Sequence, residues 1–281
     1  MSEFIHLNRS FLFVPGDRPE RFDKAKNSGC DAIIIDLEDA VSTNKKDLAR
    51  EIVIDYFSKL NKGEVRSFVR VNSIKTYFGL KDVTAFIDNG CLPDGIVLPM
   101  VDSAEEVILL DEIIKKYKPD ISIFVVIETP KGLSNVISIA SATSNVEIIG
   151  FGSADFTSQT GSSLSWNSLL YARSKIINAA GIAGITAVDG VWPDINDEEG
   201  LLNETKKIVD IGFKGKIAIH PKQIPGIHQA FSPNQEDVNF AKEVIDAYEA
   251  AKGGVISVRG KMIDEPLVIS ARRVLSLSER E

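Results

Sequence analysis

Eight short runs rich in Val, Ile and Phe recur along this chain, most of them followed by a longer stretch of helical character, and this alternation constrains the fold more than any other feature. The runs fall at residues 11–14, 32–37, 67–71, 95–98, 121–127, 146–151, 186–188 and 216–219, the seventh being the weakest in pattern. Strands that alternate with helices pair in parallel, so eight such units predict an α/β fold, a (β/α)8 barrel, with an open doubly wound sheet as the alternative.

The helical stretches have one apolar face. Residues 104–117 place Val107, Leu110, Ile114 and Tyr117 at helical spacing against Glu105, Glu106, Asp111 and Lys115. Residues 235–252 repeat the pattern after a Ser232-Pro233-Asn234 start signal, and residues 198–211 do so again. After Gly253 a short Gly-flanked segment, 255–262, precedes one more helical pattern at 266–277. A catalytic barrel over residues 1–252 with a helical C-terminal extension at 253–281 is the expected organisation.

Composition narrows the function classes. A hydrophobic fraction of 44% and a charged fraction of 26% are those of a packed soluble protein. The net charge of -8 disfavours nucleic acid as partner, because phosphate neutralisation needs clustered Lys and Arg. Cys30 and Cys91 show neither metal nor disulfide spacing and are expected to pack as small apolar residues. No signal-like or membrane-spanning run is read in the chain, so no membrane partner and a cytoplasmic location are expected.

A barrel carries its active site at the C-terminal ends of its strands. Those ends read Val14-Pro15-Gly16-Asp17, Asp36-Leu37-Glu38-Asp39, Arg70 with Asn72, Glu128, Gly152-Ser153-Ala154-Asp155 and His220-Pro221-Lys222. Converging carboxylates need raised pKa values or a cation. Glu128 and Asp155 end neighbouring strands, and Mg2+ suits such a pair because it takes one or two carboxylates and fills its octahedron with waters and substrate oxygens. Zinc is disfavoured, since His6, His220 and His228 are not spaced as ligands. The plainer alternatives are that Glu128 is a helix cap or surface group and that Asp155 caps the following helix.

Asp36, Glu38 and Asp39 are expected in supporting positions, holding Arg70 or metal-bound waters by hydrogen bonds. Arg70 itself, flanked by Val69 and Val71, needs an anion, either an acidic neighbour or a substrate carboxylate. Gly150 and Gly152 would let backbone N–H groups approach a ligand, with Ser153 and Ala154 beside them. Lys131 and Lys222 do not end an inner strand, which disfavours a Schiff-base aldolase. No phosphate loop, nucleophile elbow or dinucleotide fingerprint is present.

An ordered set of motifs resembles one family. Arg9-Ser-Phe-Leu-Phe-Val-Pro-Gly-Asp17 with Pro19-Glu-Arg-Phe22, Asp36-Leu-Glu-Asp-Ala-Val41, Val69-Arg-Val-Asn72, Leu98-Pro99, Ile127-Glu-Thr129, Phe151-Gly-x-x-Asp155, Asp189-Gly-Val-Trp-Pro-Asp194, Ala218-Ile-His-Pro221 and Gly260-Lys-Met-Ile-Asp264 are similar to the citrate lyase β-subunit and malyl-CoA lyase family of the HpcH/HpaI aldolase superfamily. The match runs in order over nearly the whole chain.

The resemblance implies a (β/α)8 barrel that binds Mg2+ through Glu128 and Asp155 and grips an oxo-acid carboxylate with Arg70. It implies a carbon–carbon lyase that cleaves a citramalyl-, malyl- or citryl-thioester, carried on CoA or an acyl-carrier protein, to an oxo-acid and an acyl thioester. Asp264 is implied as the catalytic acid/base, supplied by a neighbouring protomer of a trimer or hexamer; without the resemblance it reads as a helix cap. Arg18 and Lys24 are implied as contacts to the CoA phosphates. Two positions depart from the family pattern, Met100 where many members carry Lys and Ala154 where Glu is frequent, and both bear on substrate identity. The alternatives are a CoA-independent metal aldolase releasing pyruvate and a non-catalytic subunit of a larger lyase.

Overall fold

The computed structural model describes residues 9–60, 65–251 and 253–278. Strands β1 (Ser10–Pro15), β2 (Ala32–Asp36), β3 (Arg66–Arg70), β4 (Gly95–Leu98), β5 (Ser122–Ile127), β6 (Val146–Phe151), β7 (Thr186–Asp189) and β8 (Gly215–Ala218) close into a barrel. Every neighbouring pair is parallel, and β8 returns to β1 through the register Phe11↔Ile217. Each predicted run is a strand whose ends lie within one residue of expectation, including the weak seventh.

The helices are α1 (Phe22–Lys26), α2 (Lys46–Lys59), α3 (Tyr77–Asp88), α4 (Ala104–Ile114), α5 (Pro130–Ser134), α6 (Val136–Ala140), α7 (Ser153–Thr160), α8 (Trp166–Ala183), α9 (Glu198–Ile211), α10 (Ile224–Phe231), α11 (Gln235–Ala250) and α12 (Glu265–Ser278). Local chemistry sets their ends. Thr76, Thr129, Ser165, Asp197 and Asn234 accept a backbone N–H in the first turn of the helix that each precedes. Gly184 and Gly212 end α8 and α9 in the left-handed conformation. α4 stops a turn short of prediction, as the chain approaches Pro119. Of the predicted helix 235–252, Lys252 lies outside the described residues.

Strands β2, β4, β5 and β8 are buried throughout, one face toward the lumen and the other under the helices. Phe11, Phe68 and Phe124 meet edge-on inside the barrel, with ring centroids 5.4 to 6.4 Å apart. Gly150, expected to admit a ligand, instead makes room for this cluster: a Cβ there would lie 2.5 Å from Phe124 Cε2. Both cysteines are buried and unpaired, as expected.

The chain divides into two compact units, the second beginning at Gln229. The physical reason is that α11 belongs with the tail: Ala241 and Val244 pack with Val258, Ile263, Val268 and Ala271 in a core of their own. Segment 255–262 forms a hairpin of β9 (Ile256–Val258) and β10 (Lys261–Ile263). Its two-residue turn has Arg259 at φ 49° and Gly260 at φ 75°, the pairing that a tight hairpin requires. Among the described residues no helix is long and apolar enough to cross a membrane.

Candidate active site

In the first unit, β2 ends in Asp36 and β3 in Arg70, which are register partners. Glu128 follows β5, and Gly152 follows β6 and starts α7, which carries Asp155 in its first turn. Ile127 and Phe151 are register partners, so Glu128 and Gly152 leave the barrel side by side. Arg70, Glu128, Asp155 and Asp39 all line one cavity of about 210 Å3, together with Gly152, Ser153 and Ala154. Phe13, Val126, Val191 and Ile217 supply apolar wall.

Arg70 is buried, and its Nε and Nη2 donate to the two oxygens of Asp36 at 2.7 and 2.6 Å. Nη1 lies 3.0 Å from Glu38 Oε2 and 3.5 Å from Asp39 Oδ2, and the guanidinium covers the Phe13 ring at 4.5 Å. Asp36 also accepts the N–H groups of Glu38 and Ala40, both at 2.9 Å, which shapes the turn after β2. Burial works against the charge on Arg70, but Asp36, Glu38 and Glu128 outweigh it and raise its pKa.

Glu128 is 4% exposed and is no helix cap, since Thr129 caps α5. Its Oε2 accepts the N–H of Met100 at 2.8 Å, and Met100 holds a left-handed φ of 55°. Oε1 lies against Gly152, where a Cβ would stand 2.5 Å from it. Burial pushes Glu128 up to about 7, Asp155 and Asp39 add to the rise, and Arg70 and the Met100 N–H oppose it. Burial pushes Glu38 up to about 8 against the pull of Arg70, with Asp39, Glu128 and Asp36 adding; its buried Oε2 is met by the Arg70 ion pair. Asp155 is raised by burial and by Asp39. It does not cap α7, whose N-cap is Gly152 with no side-chain cap bond.

These carboxylates raise one another, and a divalent cation between them would relieve that repulsion. Among the described residues no three His, Cys, Asp or Glu side chains converge as a complete metal cage. An ion that keeps several waters needs none, and the missing Cβ of Gly152 leaves the room that Glu128 Oε1 occupies. His6 lies outside the described residues; His220 Nδ1 accepts the N–H of Lys222, and His228 Nε2 pairs with Ser10 Oγ at 2.8 Å.

Two residues implied as CoA contacts lie outside the cavity. Arg18 and Lys24 are exposed and do not line it; Arg18 lies 3.7 Å from Asp17. Asp264 is in the second unit, where its carbonyl accepts the N–H groups of Leu267 and Val268 at 3.1 Å and its side chain meets Leu267 N–H at 3.4 Å.

Two features escaped the sequence reading. Met100 was read only as a departure from a pattern, yet its backbone holds Glu128. Lys216, read as one residue of a strand run, is fully buried and donates to Asp189 Oδ2 and the Gly190 carbonyl at 2.9 Å and to Glu204 at 3.1 Å. Arg173 closes that network on Asp189 at 2.9 and 3.1 Å. A polar residue inside an apolar run was the available signal for Lys216; nothing in the sequence announces a left-handed Met.

A closed parallel barrel with an acidic pair and an arginine at the C-terminal ends of its strands defines a (β/α)8-barrel enzyme. The chain belongs to the HpcH/HpaI aldolase/citrate lyase family, whose sequence profile matches residues 9–221. It is 36% identical to the citrate lyase subunit beta of Leuconostoc mesenteroides subsp. cremoris, over 97% of this chain and 93% of the relative. It is 30% identical to the mitochondrial citramalyl-CoA lyase of Homo sapiens, over 96% of this chain and 85% of that one. The fold is similar to the crystal structure of CitE from Mycobacterium tuberculosis in complex with magnesium, acetoacetate and coenzyme A, at a TM-score of 0.84 and 31% identity over 97% of this chain and 98% of that chain.

Proposed function

We propose that this chain is a Mg2+-dependent carbon–carbon lyase that cleaves a β-hydroxyacyl thioester to an oxo-acid and an acyl thioester. The observation that carries the reading is that Glu128, just after β5, and Asp155, in the first turn of the helix after β6, line one small cavity together with Arg70. The magnesium in the similar CitE complex supports the same ion on Glu128 and Asp155 here. When bound, it would supply Lewis-acid polarisation of the oxygen that becomes the oxo group.

The chain's own residues do the rest. Arg70, held by Asp36, presents its Nη1 edge to the carboxylate of the oxo-acid half. Ser153 and Ala154 offer N–H groups at the start of α7. Asp264 of a neighbouring protomer takes the hydroxyl proton; the C–C bond breaks, its electron pair passes to the acyl enolate, and that carbon is protonated in turn. A homo-oligomer, a trimer or hexamer, is part of this reading, with residues 253–281 packing on the neighbour. So are a CoA path past Arg18 and Lys24 and a cytoplasmic location, which the two unpaired buried cysteines suit. The "subunit" in the bacterial relative's name favours a second reading, in which the chain works on a carrier-protein thioester inside a larger lyase.

Incubating the purified chain with citramalyl-CoA, malyl-CoA and citryl-CoA and Mg2+ tests the proposal. Turnover by the chain alone, lost in a folded Glu128→Ala variant, is the expected result. Full activity in that variant would overturn the metal assignment. An Asp264→Asn variant should lose kcat far more than it raises KM, and an unchanged kcat would remove Asp264 from the reaction.

A further inference from the structure

Lys75 lies outside the cavity, in the turn between β3 and α3, and takes no part in the chemistry described above. Its ammonium donates to the Met100 carbonyl at 2.6 Å and to Asp102 Oδ2 at 2.9 Å, with Glu106 Oε1 at 3.7 Å. Met100 is also the residue whose N–H, on the preceding peptide, meets Glu128, and the φ of 55° that sets the two peptides against each other is left-handed, a conformation strained in a residue such as Met. A strained turn persists only where its surroundings hold it, and Lys75 grips its carbonyl directly.

The other arm of Lys75 reaches Glu128 from the backbone side. Asp102 Oδ1 accepts from Thr129 Oγ1 at 2.5 Å, and Thr129, the residue after Glu128, caps α5 through the Gly132 N–H. Asn135 Nδ2 donates to the Asp102 carbonyl at 2.8 Å and fixes this arm to the end of α5. Lys75 therefore joins two chains of contacts that converge on one carboxylate, one through Met100 and one through Asp102 and Thr129.

We propose that Lys75 is a positioning residue for Glu128: by gripping the Met100 carbonyl it locks the left-handed turn at Met100, which keeps Oε2 occupied by the Met100 N–H, so that Oε1, beside Gly152, is the oxygen presented to a divalent cation shared with Asp155. The inference rests on the metal reading of Glu128 and Asp155. Lys75 contributes no ligand; it fixes which oxygen serves as one, and with it the affinity of the site.

Mn2+ binding to the full chain, followed by electron paramagnetic resonance of the free ion and by calorimetry, tests this without recourse to turnover. Lys75→Met should weaken Mn2+ binding by about tenfold, the lower end of what loss of a supporting partner costs a metal site. Adding Met100→Gly to Lys75→Met should restore most of the affinity, because glycine adopts the required φ without strain. A purely structural lysine would not be rescued in this way. Unchanged Mn2+ affinity in folded Lys75→Met overturns the proposal, and so does a double variant no tighter than the single one. If Lys75→Met does not fold, Lys75→Gln carries the same readout. Glu128→Gln separates the two levels: if it binds Mn2+ as tightly as the parent, the metal reading itself fails, whatever Lys75 does.

Discussion

Arg70 gives Nε and Nη2 to the two oxygens of Asp36 at 2.7 and 2.6 Å, so its planar fork is already closed by a register partner on β2. Only the Nη1 edge, shared with Glu38 at 3.0 Å, remains for an anion in the cavity. Asp36 therefore acts on Arg70 twice, compensating a buried cation and aiming its free edge. Asp36→Asn should cost about 3 kcal/mol of stability, as loss of one partner from a buried pair does. Denaturant unfolding checks this, and parent-like stability would contradict it.

Gly152 offers the sharpest steric test of the site. A Cβ at this position would stand 2.5 Å from Glu128 Oε1 and closer still to its Cγ, so Gly152→Ala must push the carboxylate off its position. A displacement near 1 Å is expected to lower kcat/KM by roughly 100-fold while thermal unfolding stays close to the parent's. Parent-like kcat/KM would show that the position of Glu128 does not limit the reaction.

The barrel was legible because eight apolar runs and their helices are a one-dimensional record of a repeating unit. Convergence of Arg70, Glu128 and Asp155 was legible for the same reason: counting strands places their ends on one rim. What joins residues across strands leaves little trace. Strands buried on both faces lose the alternation that would tell lumen from helix layer, so the charge of Lys216 marked it as unusual without showing which partners it meets, and Gly150 looked like a ligand approach rather than space for Phe124. The core that α11 serves was not legible, because its amphipathic pattern is the same for either, and only its partners, Val258 and Ile263 among them, decide which.

Asp189 should dominate the acid stability of the first unit. Burial alone would raise its pKa, but Lys216 and Arg173 outweigh burial and hold it below the usual value of 3.8. A carboxylate depressed by folding contributes stability above its unfolded pKa, and that contribution is lost as pH falls through the folded value. Asp189→Asn should thus be less stable than the parent by about 3 kcal/mol or more near neutrality, because it leaves Lys216 buried beside a neutral partner. The gap should narrow as pH drops below 3.8, when the parent's own Asp189 protonates. Urea unfolding of both proteins across this range measures it; a gap independent of pH would place the stabilisation elsewhere.

The charge inventory of the cavity bears on the oxo-acid. Among the described residues that line it, Arg70 is the one cation, facing Asp39, Glu128 and Asp155, and the remaining wall is largely apolar, with Phe13, Val126, Ile217 and Ile219. A single carboxylate meets Arg70, whereas a second one would lie against apolar side chains without a partner, at a cost in free energy. In the condensation direction, with acetyl-CoA and Mg2+, pyruvate or glyoxylate should therefore be used in preference to oxaloacetate by about tenfold or more in kcat/KM, about 1.4 kcal/mol per factor of ten. A cation placed on the apolar wall should erode that preference, so Ile219→Arg should move the ratio toward oxaloacetate. Equal use of oxaloacetate by the parent would show that its second carboxylate finds a partner outside these side chains.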